Sequence, residues 1–238
     1  IVHDIGIKDY AGDRQDMSWL TYQTIMQSFW GLRHASHIIA VSQFTRDRLL
    51  HYLPELAPRV SVIPTGIAPT FLQHQGDKSA SRDRLAQHVG HALGEPLLIY
   101  VGTEIARKNI PLLLQVFRQI KESYPDAQLI KVGRPGADHW RLRTLAEADA
   151  LALHMGRDLI ILEDVPDSLL ADAYCAADVF LSTSLYEGFG LPALEAMAVG
   201  TPVIVTNRAS FPEVVGQAGW AVPPDVQSFV QAIHAVLN

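Results

Sequence analysis

Two glutamates framing a glycine-bearing loop are the residues of this chain best spaced to do chemistry. Glu187 and Glu195 enclose seven residues that begin Gly188-Phe189-Gly190-Leu191-Pro192. The stretch from Asp178 to Val205 reads as strand, loop, helix, strand. Val179 to Ser182 forms the compact run expected of a buried parallel strand. Pro192 falls where a first helical turn tolerates a missing N–H, Ala193 to Ala198 favours helix, and Gly200 suits its end. Val203-Ile204-Val205 follows as the second strand. Free N–H groups and the positive end of a helix dipole attract phosphate, and glycine lets a ligand approach the backbone. Carboxylates repel phosphate but accept hydrogen bonds from sugar hydroxyls. A ligand with both a diphosphate and hydroxyl-rich rings would satisfy the whole loop. Taken singly, either glutamate reads as well as a solvated group or a complement to the dipole.

Other residues stand at expected strand ends, where open α/β sheets bind ligands. Val101-Gly102 is followed by Arg107-Lys108-Asn109 at the opening of a helix. Basic charge there opposes the dipole, so the pair calls for an anion; the alternative is a solvated pair. Gly133 follows the next strand, Val165 the one after, and His3-Asp4 the opening pair Ile1-Val2. Asp167 reads as an N-cap for the helix 168–175. GFGLPA also matches a dinucleotide fingerprint. That fingerprint belongs to the first βα turn, with an acid about 20 residues on. This copy is late and Thr206-Asn207-Arg208 supplies no acid, which disfavours a nicotinamide oxidoreductase. No D-x-D occurs, and the pairs His34/His37 and His88/His91 lack a third ligand, so no metal site is expected.

The Glu187-x7-Glu195 spacing around GFGLP, with G-x-x-x-x-R-K-N from Gly102 to Asn109, resembles family 4 retaining glycosyltransferases of the GT-B fold. The resemblance covers the whole chain. It implies that Glu187 contacts the donor sugar and that Glu195 holds the ribose. Lys108 and the amides of Gly188, Phe189, Gly190 and Leu191 would meet the diphosphate, and Arg107 would either join them or face outward. Gly133 would line the donor pocket, Val165 would lie near the base, and His3 near the reacting sugar. Many members carry an arginine directly after the glycine, where this chain has Thr103. The implied activity is hexosyl transfer from a nucleotide-diphosphate sugar to a glycan or lipid-linked acceptor with retention and no cofactor. The 102–109 loop resembles members that build bacterial surface polysaccharides, often from GDP-mannose, which makes mannosyltransfer an expectation. A GT-B nucleotide-sugar epimerase and a non-catalytic nucleotide-sugar-binding protein remain open.

These residues must be positioned by alternating strands and helices. Strands are expected near 97–101, 128–132, 159–162, 179–182, 203–205 and 219–222. Helices are expected near 81–91, 110–123, 138–153, 167–176, 191–199, 210–216 and 225–237. Upstream, the pattern gives strands at 1–2, 37–41 and 59–63, a polar loop at 9–15, and helices at 17–32 and 43–53, the latter capped by Ser42. The expected organisation is α/β. Residues 1–68 form the end of an acceptor-side Rossmann-like domain, 69–81 an irregular linker, and 82–238 a donor-binding Rossmann-like domain. Opening on Ile1 in mid-strand, the chain reads as a fragment.

Of 238 residues, 25 are Asp or Glu and 19 Lys or Arg, a net charge of -6, which argues against nucleic-acid binding. Cys175 is the single cysteine, so no internal disulfide forms; it reads as a buried structural thiol of a reducing compartment. With no apolar run of 18 residues and no signal pattern, a cytoplasmic location is expected. Trp19, Tyr22 and Trp30 would suit peripheral contact with the inner membrane face, or simply a core or domain contact.

Overall fold

The computed structural model describes residues 1–9, 18–74 and 77–238. Of the expected loop at 9–15, Asp9 instead ends a short helix, and residues 10–15 lie outside the described residues, as does the start of the expected helix at Met17. The fold is α/β with parallel sheets throughout.

The smaller sheet pairs β1 (Ile38–Ala40) with β2 (Val60–Val62), Ile38 opposite Val60. The expected strand at 1–2 is a single parallel bridge from Val2 to Ala40, with Val2 N donating to Ile39 O at 2.8 Å. Around it lie α1 (Gly6–Asp9), α2 (Trp19–Gly31) and α3 (Gln43–Tyr52). Ile5, Phe29, Leu49, Leu53 and Leu56 form its core. Ser42 caps α3 as expected, its hydroxyl oxygen accepting from Thr45 N at 3.0 Å.

The segment read as irregular contains α4 (Pro69–Leu72) and the start of α5 (Lys78–Val89). In its described residues the polar side chains lie mostly on the exposed faces of these two helices. Asp77 caps α5 through Ala80 N at 2.7 Å.

The larger sheet comprises β3 (Leu97–Val101), β4 (Gln128–Val132), β5 (Leu159–Leu162), β6 (Val179–Ser182), β7 (Val203–Thr206) and β8 (Trp220–Val222), in spatial order β5-β4-β3-β6-β7-β8. Its helices are α6 (Ile110–Ser123), α7 (Asp138–Ala150), α8 (Asp167–Ala176), α9 (Leu191–Ala198), α10 (Phe211–Val215) and α11 (Val226–Leu237). Alternation along β3 sends Leu98 and Tyr100 into one core layer and Leu97 and Ile99 into the other. Ile110, Leu113, Leu114, Phe117 and Ile120 make one stripe on α6, which packs with α11 against the first face. Leu85 of α5, Ala171 of α8, Ala193 of α9 and Phe211 of α10 cover the other. Each such Leu or Phe removed from water contributes about 1.5–3 kcal/mol. The cap of α8 differs from expectation: Pro166 is the capping residue and Asp167 is the first helical residue, complementing the dipole without a capping bond.

Chain direction across the sheet reverses between β3 and β6. Connections from β3 run outward through β4 and β5; those from β6 run the other way. The loops after β3 and β6 therefore diverge and leave a crevice at the carboxyl edge.

Candidate active site

Both central loops converge in that crevice. The loop after β3 contains a tight helical turn at Ala106–Lys108, and Asn109 in the left-handed region turns it into α6. The loop after β6 is tied to it: Leu185 N donates to Arg107 O at 2.7 Å, and Thr183 Oγ1 lies 3.1 Å from the carbonyls of Lys108 and Asn109. This brings Lys108 Nζ to 2.5 Å from Glu187 Oε1, and Arg107 Nη1 to 3.2 Å from Oε2 and 2.9 Å from Tyr186 O. The basic pair is thus neither solvated nor outward-facing. Burial works to raise the Glu187 pKa, but the charges of Lys108 and Arg107 outweigh it and hold the carboxyl below its ordinary value.

The carbonyls of residues 187–189 are all engaged by hydroxyls. Ser210 Oγ lies 3.0 Å from Glu187 O and 2.8 Å from Phe189 O. Ser42 Oγ and Thr45 Oγ1 lie 2.6 and 3.0 Å from Gly188 O. In a trans peptide unit N–H points opposite to C=O, so the amides of Gly188, Phe189 and Gly190 face away from these hydroxyls. Among the described residues neither they nor the Leu191 amide has a protein acceptor. Gly188 is packed so closely on His3 that a Cβ would stand 1.8 Å from its carbonyl oxygen. Gly190 adopts φ +100° against the Phe211 ring. His3 thus reaches the loop through its backbone, while its side chain is exposed.

Glu195 stands apart from this ion cluster. It lies in the second turn of α9, and its Oε2 accepts from the Tyr174 hydroxyl at 2.9 Å. Burial raises its pKa, against the opposing Tyr174 bond. The two acids are therefore driven in opposite directions, a pattern of division of roles. Gly133 N donates to Leu162 O at 2.8 Å, at the ends of β4 and β5, and half-buried Val165 follows β5 on the face covered by α8. These two sit outward from the cluster along the same sheet edge.

Residues 81–238 match the family model described as "Glycosyl transferases group 1", and residues 2–71 match "Glycosyltransferase Family 4". The chain belongs to the group 1 glycosyl transferases. It is similar to O-antigen chain mannosyltransferase B of Escherichia coli, 32% identical over 82% of this chain and 49% of the relative. It is also similar to α-maltose-1-phosphate synthase of Mycolicibacterium smegmatis, 30% identical over 80% and 49%. The chain spans about half the length of these curated relatives. Among solved structures, Anabaena HepE in complex with UDP and glucose superposes with TM-score 0.80 at 20% identity, over 100% of this chain and 61% of that one. Sucrose-phosphate synthase of Thermosynechococcus elongatus gives TM-score 0.77 at 27% identity, over 99% and 57%. The fold is accordingly of the GT-B type.

This group 1 glycosyl transferase chain carries supporting groups that reading the sequence missed. Glu104, fully buried, accepts from Lys131 Nζ at 2.6 Å and pairs with Arg141 Nη2 at 2.6 Å. Burial pushes the Lys131 pKa down even with that partner. The network pins the start of the 103–109 loop to the end of β4 and to α7. A lysine inside the apolar run Leu129-Ile130-Lys131-Val132 was its signal. Cys175 is half-buried, not buried. Trp19 is 71% exposed, and Trp30 lies under the Lys8 ammonium and the Arg33 guanidinium. No helix among the described residues is long and apolar enough to cross a membrane, and no group of three His, Cys, Asp or Glu there could hold a metal.

Proposed function

We propose that this chain belongs to an enzyme that transfers a hexosyl group from a nucleotide-diphosphate sugar to a glycan or lipid-linked acceptor, with retention and without metal or other cofactor. The observation that carries the reading is the set of loop amides, residues 188–191, left without protein acceptors beside two cations. Diphosphate oxygens would fill those amides and draw Lys108 and Arg107 from Glu187. Charge-assisted bonds of this kind are worth about 1.5–3 kcal/mol each. Glu187 would then be released to accept from a donor-sugar hydroxyl, and Glu195, with Tyr174 behind it, from the ribose. As the anomeric C–O bond breaks, its electron pair goes to the diphosphate, whose growing charge the amides and Lys108 stabilise. Gly133 and Val165 are proposed to flank the base, and His3 to border the reacting sugar.

The mannosyltransferase relative supports a mannosyl donor; GDP as its carrier rests on the resemblance of the 102–109 loop, and retention on the family resemblance. A cytoplasmic site at the inner membrane face fits a lipid-linked acceptor, with exposed Trp19 and with Trp30, which lies beside Lys8 and Arg33, as the contact. The test is calorimetry against GDP, UDP, dTDP and ADP, then a transfer assay on the full-length protein. Binding of one nucleoside diphosphate with transfer is expected. NAD binding without any nucleoside diphosphate would overturn the reading. Donor epimerisation without an acceptor would replace it by an epimerase. Binding with neither reaction would leave a non-catalytic binder.

A further inference from the structure

The N-terminus of α3 is closed by a carboxylate from far along the chain. Gln43 N donates to Glu213 Oε1 at 2.7 Å and Phe44 N to Oε2 at 3.1 Å. Ser42 takes the next amide, Thr45 N. Two of the orphan donors every helix start presents are thus satisfied by α10. A carboxylate there is favoured by the dipole as well as by both bonds.

The same turn of α3 grips the candidate donor loop, since Ser42 and Thr45 engage Gly188 O. Phe44 packs edge-on against Tyr186, ring centroids 5.4 Å apart. From the other side Ser210, at the start of α10, engages Glu187 O and Phe189 O. The contacts form a closed ring: α10 to α3 through Glu213, α3 to the loop through Gly188, and the loop back to α10 through Ser210. Glu213 is the one charged member, and it joins the parts of the chain on either side of the α4–α5 connection.

We infer that Glu213 is a positioning residue for the transfer reaction: it locks the acceptor-side helix α3 onto the donor loop and so holds the loop amides in register. This rests on the function proposed above. Glu213 itself does not touch the groups assigned to the diphosphate. A bound diphosphate can settle onto a loosened loop, whereas the growing charge of the transition state needs the amides in register, so loss of Glu213 should lower turnover more than donor affinity.

The experiment compares Glu213→Ala and Glu213→Gln in the full-length protein. Glu213→Ala is expected to reduce kcat about tenfold, the scale of a lost charge at a helix start. The Kd for the nucleoside diphosphate should stay within about threefold, less than 1 kcal/mol. Glu213→Gln keeps an acceptor oxygen and should recover most of kcat. Hydrogen exchange gives a readout without catalysis: in Glu213→Ala, peptides spanning 42–46 and 186–190 should both exchange faster. Wild-type kcat with unchanged exchange at 186–190 overturns the inference, as does a fall in donor affinity equal to the fall in kcat. A wild-type protein that transfers no sugar defeats the proposed reaction instead, and the exchange comparison still decides whether Glu213 locks the loop.

Discussion

Glu187 and Glu195 are one residue type eight positions apart, and what surrounds each decides its charge. Glu187 faces two cations; Glu195 is partly buried against a phenol, with the like charge of Asp167 near it. Replacing Lys108 by Ala removes the closer cation and leaves a buried carboxylate on Arg107 alone. Turnover should fall by about a hundredfold or more, as when one preorganised donor is lost. Thermal stability should fall as well, because a broken buried pair leaves its remaining charge uncompensated. Steady-state kinetics and a melting curve check both. Glu195 yields a prediction in pH. Its folded pKa is raised, so the fold binds this proton more tightly than the unfolded chain does. The associated stability is fully present below the unfolded value, about 4.3, and is lost as pH rises through the folded value. Glu195→Gln should therefore melt higher than wild type at pH 7, with the gain gone by about pH 4, while nucleotide affinity falls. A gain that does not depend on pH would contradict the burial argument.

At the scale of elements, the turn from β6 into α9 is the tightest joint. A methyl group on residue 188 would overlap the His3 carbonyl, so Gly188→Ala must push the two backbones apart. We expect a loss of about 1–3 kcal/mol or more and loss of turnover, measured by denaturant unfolding and the transfer assay. The strands of the larger sheet were legible to within a residue or so because buried parallel strands need continuous apolar runs, as in Leu97 to Val101. α6 was equally plain from its stripe. The start of α5 was not, since its face is polar, although Asp77 carried a capping signal. The cap of α8 was misassigned by one residue because Pro166 offers no capping side chain, while Asp167 is a familiar one. In the site, contacts local to a loop or to two recognisable motifs could be anticipated. The hydroxyls of Ser42, Thr45 and Ser210 could not, because their partners depend on how distant segments pack. Ser42 was identified only in its local role as a cap.

For the molecule as a whole, the two core layers of the larger sheet are built almost entirely from residues after α4. A piece spanning 78–238 should fold cooperatively and bind the nucleoside diphosphate, yet transfer no sugar, because α3 and the His3 segment are missing. Calorimetry and thermal unfolding of that piece test this; a failure to bind would mean that α3 helps to form the diphosphate site. The reversal of strand order between β3 and β6 carries one more consequence. Neighbouring strands lie about 4.8 Å apart, so the end of β5 stands roughly 10 Å to the side of the end of β3. With Gly133 and Val165 flanking the base as proposed, substitutions after β4 and β5 should retune which base is accepted while the central ion cluster keeps its geometry. Such a layout would let a lineage exchange one nucleotide carrier for another by small steps at the periphery, without rebuilding the chemistry at the middle.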